Sequence, residues 1–151
     1  MANNALQWET PVEEGAILST ELNSLANGSR SNAGSVFNNT VSSGNNAKKA
    51  RFRATVDFVS APSAGAYLAI YKVEALVGST YADGSSTVDP GAHTWLCNIP
   101  LRADTAAQIV DSPEVEIWPL NQKFICGNFS GQAFPASGST IELVTAREEM
   151  E

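Results

Sequence analysis

From Ala50 onward the apolar and polar residues alternate with a period of two. In RFRATVDFV (51–59), Phe52, Ala54, Val56 and Phe58 face one way, while Arg51, Arg53, Thr55 and Asp57 face the other. That is the pattern of a strand with one buried and one wet face. After the turn SAPSAG, the stretch AYLAIYKVEAL (66–76) is apolar on both faces, which predicts a central strand. TWLCNIPL (94–101) places Trp95, Cys97, Ile99 and Leu101 on one face and assigns Trp95 to the core. AAQIVD, EVEIWPL, KFICGNF and TIELVTAR complete the series, with Trp118 also assigned to the core and Pro119 marking an edge or a strand end. Seven or eight strands at intervals of 8 to 15 residues, without a long helix, predict an all-β fold: a single β-sandwich or jelly roll over residues 48–147. Strand count alone does not separate a sandwich from a barrel of six to eight strands.

Residues 1–47 lack this alternation and read as an extended N-terminal arm. STELNSLANGS predicts a short helix near residues 20–27, capped by Ser19 or Thr20 and ended by Asn27-Gly28, with Leu22 and Leu25 on one face. A short strand is expected at Val36-Phe37. A segment unable to bury its own apolar side chains gains most by laying them on a neighbour. Trp8, Ile17, Leu18, Leu22 and Leu25 are therefore candidate contacts with a partner or another subunit; in the alternative, Ala16 to Ser19 forms an eighth strand paired inside the sandwich. Residues 148–151 form an acidic tail.

Charge refines this picture. The net charge is −7, and only 17% of residues are charged. An acidic chain does not bind nucleic acid through its whole surface. Yet Lys48, Lys49, Arg51 and Arg53 place four of the nine basic residues within six positions. This cluster reads either as a contact with an acidic partner surface or as a solvated face answering the acids Glu9, Glu13, Glu14 and Glu21. The start, MANNALQWETP, has no signal-peptide character, and no run reaches transmembrane length. The expected product is cytosolic, without a membrane partner.

No motif carries chemistry. TYADGSSTVDPGAHTW (80–95) gathers Asp83, Asp89 and the single histidine, His93. Asp-Gly and Asp-Pro-Gly are ordinary turn chemistry, and the spacing of ligands for a calcium loop is absent. Cys97 and Cys126 lie in apolar strands and read as buried small hydrophobes. With one distant histidine they make no zinc site. Glu114 and Glu116 read as a solvated strand edge rather than a pair of glycosidase carboxylates. The sequence thus predicts no catalytic, cofactor-binding or metal residue, and no cofactor.

ILSTELNSLANGSRS, ATVDFVSAPSAGAYLAIYKVEALVGSTYADGSSTVDPG and GNFSGQAFPASGSTIELVTAREE together resemble small virion structural proteins of tailed bacteriophages, above all the jelly-roll decoration, or cement, proteins. The likeness covers roughly residues 17–149. It rests on strand, turn and loop phrases rather than a chemical signature. It implies a non-enzymatic protein made in the host cytoplasm that assembles, often as a homo-oligomeric trimer, on the outside of the capsid. Its partner would be the major capsid protein. The alternative expectation is a jelly-roll tail or fibre module that binds host-surface carbohydrate; a glycan hydrolase ranks last.

Overall fold

The computed structural model describes the backbone of residues 6–150 and the side chains of residues 9–147. Among the described residues eleven strands run in chain order: β1 (Leu6–Trp8), β2 (Val12–Leu18), β3 (Phe37–Asn38), β4 (Lys49–Val56), β5 (Tyr67–Ala75), β6 (Trp95–Pro100), β7 (Gln108–Asp111), β8 (Val115–Glu116), β9 (Asn121–Phe129), β10 (Thr140–Ala146) and β11 (Glu148–Met150). One sheet has the order β2-β10-β4-β7, with β8 continuing β7 along the same edge of β4; the other has the order β3-β9-β5-β6. All pairings are antiparallel, and the chain crosses repeatedly from sheet to sheet. This is a two-sheet jelly roll. Each of the seven strands expected after Ala50 is present.

The alternation in β4 is the alternation the sequence showed. Phe52, Ala54, Val56 and, just beyond, Phe58 are buried between the sheets. Phe52 meets Phe124 of β9 edge-to-face, with ring centroids 5.1 Å apart, and this contact joins the two sheets at mid-core. β5 lies between β9 and β6, as its two apolar faces predict. Its inner side chains Leu68 and Ile70 join the core cluster. Ala69 and Val73, on its outer face, are buried as well. The long connection 76–94 folds back over that outer face. A Cβ added to Gly84 would lie 3.0 Å from Ile125 Cδ1 and 3.3 Å from Val73 Cγ2.

The N-terminal segment departs from the expected arm. β2 is an edge strand of the first sheet, paired with β10 from Leu18↔Ile141 to Val12↔Thr145. Ile17, Leu18 and Leu22 are buried in the core of their own chain, and Leu25 packs against it. These four are not surface anchors. The period of two was invisible because the β2–β10 ladder shifts register twice, and Gly15 adopts a φ of 86° that most side chains avoid. The expected helix is a single 3-10 turn, Thr20–Leu22. Trp8 falls in β1, whose backbone pairs with β11, but its side chain lies outside the described residues. Residues 148–150 of the acidic tail are the other half of this ribbon, and their side chains likewise lie outside the described residues.

Residues 24–35, although irregular, are tied to the second sheet. Ser31 N–H donates to Cys126 O (2.8 Å), and Gly34 N–H donates to Phe124 O (2.9 Å). Gly28 and Ser29 exchange bonds with Asn128. At Gly34 the backbone passes so close to Ile17 O that an added Cβ would overlap it at 2.0 Å. Two outcomes follow. Deleting residues 1–34 strips an edge from each sheet and three fully packed side chains from the core, so the truncated chain should fail to give a cooperative melt and should aggregate. Gly34→Ala should destabilise by about 1–3 kcal/mol or more, because the obstacle is backbone rather than a movable side chain. Denaturant melts with sizing would check both, and a stable, soluble truncated domain would show that the N-terminal segment is dispensable.

Candidate functional site

The loop that gathers Asp83, Asp89 and His93 is held by an ion pair and by turn hydrogen bonds. Asp89 pairs with Arg30 (3.2 Å). Ser85 accepts the N–H groups of Thr87 and Val88 through its hydroxyl, as turn serines do. Thr94 is buried, and its hydroxyl lies 2.8 Å from Pro90 O and 2.7 Å from Gly91 O, within donating reach of both. Among the described residues no group of three or more His, Cys, Asp or Glu side chains is placed to hold a metal ion.

The basic cluster lies on the outer face of the first sheet. Arg53 is opposite both Glu142 of β10 and Asp111 of β7, and its Nε donates to Asp111 (2.9 Å). That hydrogen bond, reinforced by the charges of Asp111, Glu13 and Glu142, raises the Arg53 pKa further. Lys49 meets Glu114 (2.7 Å), and this bond holds the Glu114 carboxyl below its usual range. Lys48 and Arg51 are exposed. The acids that answer Lys49 and Arg53 come mainly from β7, its continuation and β10. Among the described residues, Glu13 of the N-terminal segment also adds to the field at Arg53. Exposed pairs of this kind are screened by solvent and add little to stability.

The structure corrects two tryptophans. Trp95 is 50% exposed, because a bulge in the β5–β6 register between Ile70 and Tyr71 turns it away from the face of Cys97. Trp118 is 64% exposed. It follows the parity of the exposed acids Glu114 and Glu116, whereas Ile117 takes the buried position.

Trp118 belongs to a larger feature that the sequence did not reveal. Asn38, Asn121 and Ala75 form one row across β3, β9 and β5. The chain beyond that row presents Val41 (69% exposed), Trp118, Leu76 (74%) and Val77 (79%). Three connections at one end of the sandwich therefore each display large apolar side chains to solvent. They are held firmly. Trp118 O accepts from Asn39 Nδ2 (2.7 Å) and from Gln122 Nε2 (2.6 Å), and both of those side chains are buried. Asn39 also donates to Ala47 O and accepts from Ala47 N–H, closing the 39–48 connection. The β1–β11 ribbon leaves from the same end, where Arg147 Nη2 donates to Asn45 Oδ1 (2.6 Å).

Cys97 and Cys126 are buried in the core, as expected. Both are paired in register with Ile70 from opposite sides. Two strand spacings put their Cα atoms about 10 Å apart, beyond the roughly 7 Å reach of a disulfide. No protein-family model matches the chain, and no curated protein or solved structure shows significant similarity to it. No helix among the described residues is long and apolar enough to cross a membrane.

Burial raises the Cys97 thiol to about 11 from an ordinary 9.0, partly opposed by a hydrogen bond with Ser112; burial raises Cys126 as well. A raised folded-state pKa gives stability that is complete below the unfolded value and is lost as pH climbs through the folded one. Wild-type stability should therefore fall between about pH 9 and 11 more steeply than that of Cys97→Val. Native-state thiol labelling should be slow at pH 8 for both cysteines. Equal alkaline slopes in the two proteins, or rapid labelling, would contradict the assignment.

Proposed function

We propose that this protein is a non-enzymatic virion structural protein, a decoration or cement protein that binds the outside of a phage capsid and stabilises it, with the major capsid protein as its partner. The observation that carries this reading is the apolar end formed by Val41, Leu76, Val77 and Trp118. Large exposed apolar groups gathered at one place and rimmed by polar residues mark protein-binding surfaces. Tryptophan is a frequent anchor at such surfaces. Here the connections that carry Val41 and Trp118 are already fixed by the buried amides of Asn39 and Gln122, so little further ordering opposes docking there. The jelly roll beneath supplies a rigid, low-charge body suited to many identical copies. Assembly as a trimer belongs to the same proposal.

The test uses full-length protein added to undecorated shells of the major capsid protein encoded with it. Saturating occupancy at many copies per shell is expected. Trp118→Ala combined with Leu76→Ser should lower affinity by a factor of ten or more, while folding stability stays within about 1 kcal/mol of wild type. Wild-type protein that does not bind shells, or binds only a few copies at the tail, would overturn the proposal.

A further inference from the structure

A second surface lies on the outer face of the other sheet and plays no part in the apolar end. Tyr71 of β5 and Trp95 of β6 are register partners and stand side by side. Arg30 reaches over the Tyr71 ring, its guanidinium carbon 5.5 Å from the ring centroid, and pairs with Asp89 at 3.2 Å. With Pro90, Gly91 and Ala92 these residues line an open cleft of about 400 Å³, within the roughly 300–1,000 Å³ of small-ligand sites. The far wall is rigid: the Pro90–Gly91 carbonyls lie in reach of the buried Thr94 hydroxyl, and Gly91 packs 2.9 Å from the His93 ring at the position where a Cβ would stand.

The chemistry of the cleft narrows its occupant. The single donor of the exposed Trp95 indole is taken by Asn98 Oδ1 (3.0 Å), which fixes the ring and leaves only its apolar face on offer. Beside that face stands the ion pair of half-buried Arg30 and exposed Asp89. A guanidinium brings several fixed donors, and a carboxylate brings acceptors with lone pairs to spare. An apolar platform beside paired donors and acceptors matches a pyranose ring, which has a C–H face and a rim of hydroxyls that both donate and accept. The mutual neutralisation of Arg30 and Asp89 favours an uncharged ligand over an anion. We propose that this cleft binds a neutral carbohydrate, with a sugar ring stacked on Trp95 and neighbouring hydroxyls held by Asp89 and Arg30. The sequence allowed this ligand class without a site; the structure supplies one.

The experiment screens the full-length protein on an array of neutral bacterial, plant and animal oligosaccharides. The strongest hit is then titrated by calorimetry and by tryptophan fluorescence. Saturable binding of at least one neutral glycan is expected. Trp95→Ala and Asp89→Ala should each weaken it by about tenfold or more, Trp95→Phe should restore part of the loss, and the melting temperatures should match wild type. Trp118→Ala should bind sugar normally, so a failure of capsid docking and a failure of this site can be told apart. Absence of saturable binding to any neutral glycan, or binding that survives Trp95→Ala, would overturn the proposal. So would loss of capsid occupancy in Trp95→Ala without any glycan binding, which would assign the cleft to a protein contact.

Discussion

The structure depends on satisfying the open edge of β9. This strand is buried along most of its length and has β5 on one side. On the other side β3 pairs with only two of its residues. The backbone groups from Phe124 to Asn128 would otherwise be left without partners in a buried environment, at a cost comparable to several lost hydrogen bonds. Residues 24–34 supply those partners, helped by buried side chains. Ser31 Oγ accepts from Cys126 N–H (3.0 Å), and Asn128 Nδ2 donates to Leu25 O (2.9 Å) and Gln132 O (2.8 Å). Once this segment is fixed, β2 must run beside β10, and Ile17, Leu18 and Leu22 drop between the sheets. The N-terminal quarter is therefore built into the domain by a hydrogen-bonding requirement as much as by apolar burial.

The two outer faces follow from how each sheet meets solvent. The first sheet leaves its outer face to water and carries a charge ladder there, with Arg53 between Glu142 and Asp111. The second sheet is apolar outside as well as inside and is covered by the 76–94 connection and by residues around Arg30. That cover is incomplete near β6, and the gap is where Tyr71 and Trp95 emerge. A connection that looked like a mere link between strands is thus the second layer over one sheet and the wall of a cleft.

The apolar end and the Trp95 cleft lie on different parts of one frame. The apolar end is made of chain reversals beyond the last sheet row, where side chains have no opposing sheet to pack against. The cleft lies on a sheet face, where strand register sets the spacing of the aromatic rings. A jelly roll offers both kinds of surface without disturbing its core, because connections and outer positions contribute little to the packing between the sheets.

The sequence by itself determined the all-β class, the seven strands after Ala50, the central place of β5, the buried cysteines and the wet face of β4. Each of these is written in a local pattern, a period of two or, in β5, an apolar run on both faces, which needs no partner to be read. It also held the turn chemistry around Asp83 and Asp89. Only the tertiary structure decided the strand Val12–Leu18, hidden by two register shifts, and the outward turn of Trp95, produced by a bulge. The role of Gly34 came from the close passage of Ile17, seventeen residues earlier in the chain. The apolar end and the Trp95 cleft were equally illegible, because Val41, Leu76 and Trp118, or Arg30, Tyr71, Asp89 and Trp95, are brought together only by pairing between distant strands. A period reports which face a residue takes; it carries no information about which distant residue shares that face.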